Sequence, residues 1–191
     1  MTGSRPLRAD AQRNRDRLLD AAVRAFATDR GPDVTLEAIA RDAGVGIGTL
    51  YRHFPTREVL IEAAYRSELA RLCDSADDLL KTAPADQAMR AWMDLFIDYM
   101  ATKRGMSGAL AAVIASGGNP FAQSRGRLVA AMGTLLAAGA TDGTLRPDAE
   151  PTDVLTTLSG IAITTGEPAQ RDQAHRALDL LMDGLRYRRP H

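Results

Sequence analysis

Cysteine is nearly missing from this chain of 191 residues, and Cys73 stands alone. One thiol cannot close an intrachain disulfide, so the fold must rest on its apolar core, and a reducing compartment is expected. Lysine is almost as scarce: Lys81 and Lys103 are the two examples, and arginine carries the other positive charges. The formal net charge is zero, so bulk electrostatics do not announce a polyanion or a membrane surface as partner. Long apolar runs are missing too. The stretches near 108–115 and 128–140 are rich in alanine and glycine and shorter than the ~20 residues of a spanning helix. The N-terminus carries no apolar segment of the kind found in signal peptides. A cytoplasmic location without a membrane partner is therefore expected. His53, His175, His191 and Cys73 show no metal-ligand spacing. Gly44-Val-Gly46-Ile-Gly48 lacks the Gly-x-Gly-x-x-Gly spacing of a nucleotide loop and follows a helix instead of a strand. Cys73 has no evident base beside it. No metal, cofactor or catalytic centre is expected.

What the chain does have is helical periodicity from end to end, with few β-branched runs. The expected fold class is all-α, with about nine helices. The first is expected over 11–29, closed by Gly31-Pro32, and two short ones over 35–43 and 47–54. A long fourth follows Pro55, with Thr56 as cap and Glu58 at the positive end of the helix dipole, and runs to about Lys81. Pro84 breaks the chain, and Asp86 is expected to cap a fifth helix to about Lys103. Further helices are expected over 105–115, 121–139, 151–165 and 169–187. The breaks between them fall at Gly117-Gly118-Asn119-Pro120, at Arg146-Pro147-Asp148 and at Pro168. Before the first helix, residues 1–10 read as a flexible basic arm. Between Met1 and Arg17, Arg5, Arg8, Arg13, Arg15 and Arg17 outnumber Asp10 and Asp16, which suits either phosphate tracking and minor-groove entry or a solvated tail.

Residues 34–60 are the most informative. Thr35 has a hydroxyl placed to cap a short helix. Leu36, Ile39, Ala40 and Ala43 fall on one face of that helix, and Gly44 stands where the chain must turn sharply. Val45 and Leu50 point back inward around a second short helix that ends before Pro55. Ala40 must stay small because the helices cross there. This is the layout of a helix-turn-helix, the device that places one helix in the DNA major groove.

Gly48-Thr-Leu-Tyr-Arg-His-Phe54, followed by Pro55, Thr56, Arg57, Glu58 and Leu60, closely resembles the signature of the tetracycline-repressor (TetR) family. The preceding amphipathic helix, with Leu18, Leu19, Ala22, Val23 and Phe26 on one face, resembles it as well. The motif-bearing match covers about the first third of the chain. The resemblance implies a helix-turn-helix DNA-binding domain over 11–56 (motif 35–54), a connecting helix over 57–81, and a helical ligand-binding and dimerisation domain over 82–191. It further implies a ligand-responsive transcriptional regulator, most simply a repressor. Such a homodimer binds a palindromic double-stranded DNA operator and is released by a small-molecule effector. The alternative is a ligand- or partner-binding helical dimer whose DNA-binding domain is vestigial.

The same resemblance carries roles onto individual residues. Thr35 matches a phosphate-meeting position, and Tyr51 and His53 match backbone-contacting ones. Arg57 stands where the family usually has lysine, and its fork can hold a phosphate through two donors. Base reading falls to Gly46, Ile47, Gly48, Thr49 and Arg52. Ile47 can touch a thymine methyl, Thr49 can bond a base or a phosphate, and Arg52 can reach guanine O6 and N7. Alternatively, the small residues let the backbone approach closely and leave specificity to DNA shape.

In the second half, Met89, Trp92, Met93, Phe96 and Met100 form one stripe on the fifth helix. It reads either as plain core or, by the resemblance, as a cavity wall for an apolar or aromatic effector. Tyr99, Phe121, Met132, Leu136 and Ile161 are further lining candidates. Asp94 and Asp98 read as solvated carboxylates or as selectors of a cationic ligand. For dimerisation, Leu155, Leu158 and Ala162 on helix eight join Ala174, Leu178, Leu181 and Leu185 on helix nine. Paired with a symmetry mate they would build a four-helix interface. Packing within one subunit competes for the same stripes.

Overall fold

The computed structural model describes residues 4–27 and 34–186, with side chains described from residue 9 onward and Pro168 excepted. Nine α-helices are present among them: α1 (Ser4–Phe26), α2 (Leu36–Asp42), α3 (Ile47–His53), α4 (Arg57–Thr82), α5 (Ala85–Gly105), α6 (Ser107–Ala115), α7 (Ser124–Asp142), α8 (Pro151–Thr164) and α9 (Arg171–Leu185). A 3₁₀ turn, Pro168–Gln170, leads into α9. Extended pairing among the described residues amounts to one antiparallel bridge between Leu145 and Arg186. No helix there is long and apolar enough to cross a membrane.

The chain divides into two compact units. One comprises Met1–Glu68 with Thr102–Pro120, the other Leu69–Ala101 with Phe121–His191. This differs from the expected division at residue 82, because α6 groups with the N-terminal helices. Gly105 shows why. A Cβ built there would stand 2.3 Å from the Ala27 carbonyl oxygen, so the end of α5 approaches the end of α1 as only glycine permits. Met106, Leu110 and Val113 are buried just beyond it.

In the first unit α1, α2 and α3 pack on one another. Their inward faces bury Leu18, Leu19, Ala22, Phe26, Ile39, Ala40 and Leu50, with Phe54, Leu60 and Ile61 following. Burying each leucine, isoleucine or phenylalanine of this set stabilises by roughly 1.5–3 kcal/mol. α1 begins at Ser4, so residues 4–10 of the expected flexible arm are helical, while residues 1–3 lie outside the described residues. Side-chain bonds one turn apart support the helix: Arg13 to Asp10, Gln12 to Asp16 and Arg17 to Asn14. The expected close of the first helix at Gly31-Pro32 lies outside the described residues.

In the second unit α7 packs on α8 and α8 on α9. α5 starts at Ala85, one residue before the expected cap. Its first N–H is met by Asp142 Oδ2 at 3.4 Å, so Asp86 lies within the first turn instead of capping it. Phe121, expected inside helix seven, precedes α7, which begins at Ser124.

Candidate nucleic-acid interface

The helix-turn-helix is assembled from local bonds. Thr35 is extended (φ −85°, ψ 152°) and its hydroxyl accepts the Ala38 N–H at 3.2 Å, starting α2. α2 stops where Gly44 enters the left-handed region at φ +63°. There the Gly44 N–H donates to the Arg41 carbonyl at 3.1 Å and the Val45 N–H to the Ala40 carbonyl at 2.9 Å. These bonds satisfy orphan carbonyls of the helix end. α3 follows at once, with Leu50 fully buried as its anchor. Pro55 ends it, and the Thr56 hydroxyl accepts the Val59 N–H at 3.3 Å to open α4. The Glu58 carboxyl is held below its ordinary range by its own backbone N–H and by the Thr56 hydroxyl.

Most of the residues expected to meet DNA reach the surface of this unit. Thr35, Gly46, Ile47, Gly48, Tyr51 and Arg52 are exposed, and Thr49 and His53 are half-buried. Tyr51 keeps 45% of its surface and Ile47 38%, large values for apolar rings and branches that have a core available. Arg52 is folded back along α3: Nε donates to the Gly48 carbonyl at 3.3 Å and Nη2 to Thr49 Oγ1 at 2.8 Å. A cleft of about 340 Å³ runs beside it, lined by Asp10, Ala11 and Asn14 of α1 and by Thr49, Arg52 and His53 of α3.

Arg57 is the exception. It is half-buried, its Nη1 donates to the Val34 carbonyl, and its guanidinium lies 4.8 Å from the centroid of the Phe26 ring. It ties the start of α4 to the entry of α2 and to α1, an internal clasp at the position where the sequence suggested a phosphate fork. Arg15 plays a similar part over Phe54, 5.6 Å from the ring centroid. No spacing rule points to either contact.

In the second unit the expected effector-lining residues are mostly core. Trp92, Met93 and Met132 have no exposed surface, and Phe96, Tyr99 and Leu136 are also buried. Met100, Phe121 and Ile161 are half-buried. The rings of Trp92, Phe96 and Tyr99 follow one another at centroid separations of 5.8 and 6.1 Å. The Trp92 indole N–H donates to the Leu72 carbonyl at 2.8 Å, closing its polar end. Asp94 pairs along the helix with Arg90 at 2.5 Å and Asp98 across to α9 with Arg171 at 3.1 Å. Burial pushes the Cys73 thiol above its ordinary pKa, the opposite of nucleophile activation.

The expected dimerisation stripe is likewise occupied within the chain. Leu155, Leu158, Ala162, Ala174, Leu178 and Leu185 are buried within the chain, where α7 packs on α8 and α8 on α9, and Leu181 is half-buried. An amphipathic stripe faces whichever apolar neighbour is nearest, and here that neighbour is intramolecular. The large apolar residues left outside on these helices are Leu180, 74% exposed, and Ile163, 66% exposed.

A short all-helical chain with a built helix-turn-helix and a second helical unit defines a DNA-binding transcriptional regulator. Comparison with known proteins makes this specific. The profile of the bacterial regulatory proteins of the tetR family matches residues 18–64. That of the SbtR-like transcriptional regulator C-terminal domain matches residues 84–187. A TetR transcriptional regulator from Streptomyces coelicolor is 55% identical, with TM-score 0.86 over 90% of this chain and 98% of that one. The TetR transcription regulatory protein from Mycobacterium vanbaalenii is 32% identical, with TM-score 0.78 over 95% and 100%. The HTH-type transcriptional regulator TtgW of Pseudomonas putida is 39% identical over 64 residues, 34% of this chain. The chain spans about half the length of that curated relative, 48%. The chain belongs to the TetR family of transcriptional regulators, and that membership makes it a regulator and not an enzyme.

Proposed function

We propose that this protein is a cytoplasmic homodimeric repressor that binds a palindromic operator and is released by a small apolar or aromatic effector. The observation that carries the reading is the exposed face of the helix-turn-helix. Thr35, Tyr51 and His53 stand ready for the phosphate backbone, while Leu50 and Phe54 hold α3 from behind. Phosphate contacts of this kind set orientation, and the outer edge of α3 supplies the base contacts.

The proposed dimer uses the outer faces of α8 and α9. On α9, Ala177, Leu180, Leu181 and Gly184 recur at helical spacing beside the buried stripe, and on α8 Gly160 and Ile163 are exposed. Small residues next to exposed leucine and isoleucine suit close approach of a symmetry mate. The proposed effector enters among the methionines and rings of α5 and beside Met132 of α7, where adaptable thioethers can repack around it. Its differential affinity for the two states sets how far it can shift the DNA-binding equilibrium.

The test is a gel shift with the DNA upstream of the protein's own gene. The wild-type protein is expected to bind it, and Tyr51→Ala with His53→Ala to lose at least roughly tenfold in affinity. Sedimentation of both proteins as the same dimer completes the expected result. Equal affinity of the two proteins would overturn the assignment of this face.

A further inference from the structure

The outer edge of α3 is nearly bare. Gly48 and Arg52, four residues apart, lie on one line of the helix, opposite the buried Leu50. Nothing stands within 4 Å of a Cβ built on Gly46 or Gly48, so the first turn presents open backbone. Ile47 is apolar. Arg52 is thus the long donor of this edge, and its side chain runs back over Gly48 as helical side chains do.

Its two bonds are selective. The Gly48 carbonyl takes Nε–H and Thr49 Oγ1 takes one hydrogen of Nη2, which commits the Nε/Nη2 side of the guanidinium to the helix itself. Nη1 and the second hydrogen of Nη2 make no hydrogen bond among the described residues, so the end-on fork keeps two parallel donors. That end matches the O6 and N7 acceptors of guanine in the major groove. Holding a flexible side chain in this pose before binding lowers the entropy cost of the contact.

We propose that Arg52 is the guanine reader of this protein and that Thr49 is its positioning residue, acting on DNA through Arg52 and not by a base contact of its own. This rests on the operator-binding reading above. Two glycines and an isoleucine at the groove then signify few read positions, with one guanine per half-site dominating.

Selection of duplexes from a randomised library, followed by fluorescence anisotropy on the selected duplex and its single-base variants, tests it. The wild-type protein is expected to select a G·C pair at one symmetric position. Replacing that guanine by 7-deazaguanine, which removes N7, is expected to weaken binding roughly tenfold. Arg52→Ala and Arg52→Lys are expected to lose the preference at that position alone, since an ammonium has no fork. Thr49→Val is expected to blunt the same preference and Thr49→Ser, which keeps the hydroxyl, to restore it. Arg52→Ala weakening all duplexes equally would make the residue a phosphate contact and overturn the proposal. An undiminished preference in Thr49→Val would overturn the positioning role. A wild-type protein that selects no sequence defeats the operator-binding reading itself, and this inference with it.

Discussion

Arg52 and Arg57 stand five residues apart and spend their guanidinium groups in opposite ways. Arg57 is turned inward onto Phe26 and the Val34 carbonyl, whereas Arg52 lies along the surface of α3. Arg57→Ala is therefore expected to cost about 1–3 kcal/mol of stability in urea unfolding, because a half-buried carbonyl loses a charged donor and the Phe26 ring its cover. Tyr51→Ala, at an exposed position, is expected to stay within roughly 0.5 kcal/mol of wild type while weakening operator binding. The pair of measurements separates clasp from contact. Sequence pattern turns both residues toward DNA, Arg57 to a phosphate and Arg52 to a base. The bond that distinguishes them spans 23 positions, beyond what local spacing can encode. The exposed residues Thr35, Ile47 and Tyr51 were legible for a different reason: their neighbours Ile39, Ala40 and Leu50 fill the inward face and leave them outside.

Helix ends follow the same division between local and distant causes. The boundaries of α2 and α3 were legible because each is made by adjacent residues: the Thr35 cap, the turn at Gly44 and the stop at Pro55. Gly44→Ala is expected to cost roughly 1–2 kcal/mol for the left-handed backbone, and Thr35→Ala about 1 kcal/mol for the lost cap. Both are measurable as shifts of the thermal midpoint, with the bare fold retained. The start of α5 was not legible, since its cap comes from Asp142, 57 residues away. That carboxylate is held below its ordinary value of 3.8 by the Thr144 hydroxyl first, then by the Thr144 N–H. Its stabilisation is complete above that ordinary value and is lost as the pH falls through the lowered folded one. Asp142→Asn is therefore expected to show a shallower loss of stability below about pH 4 than the wild type. The difference should be small, because the group is exposed to solvent.

At the scale of the molecule, helical amphipathicity told that α8 and α9 bury a stripe but not against what. The intrachain packing claims Leu158, Ala174 and Leu178, and the proposed dimer is left with the face around Leu180. Leu180→Glu is expected to convert the dimer to monomer in sedimentation at micromolar concentration, with the helical content unchanged. A dimer that survives this change places the interface elsewhere. The division of the chain into two units carries a different consequence, for engineering. Regulators of this kind invite chimaeras in which one protein's reading head is fused to another's sensor at the fourth helix. Here the head is assembled from two separate stretches of chain, the second holding α6 and the glycine that meets α1. A fusion that stops at Glu68 transplants a head with a piece missing. A graft that also carries residues 102–120 moves the whole unit, and exchange of specificity between relatives is expected to succeed only in that form.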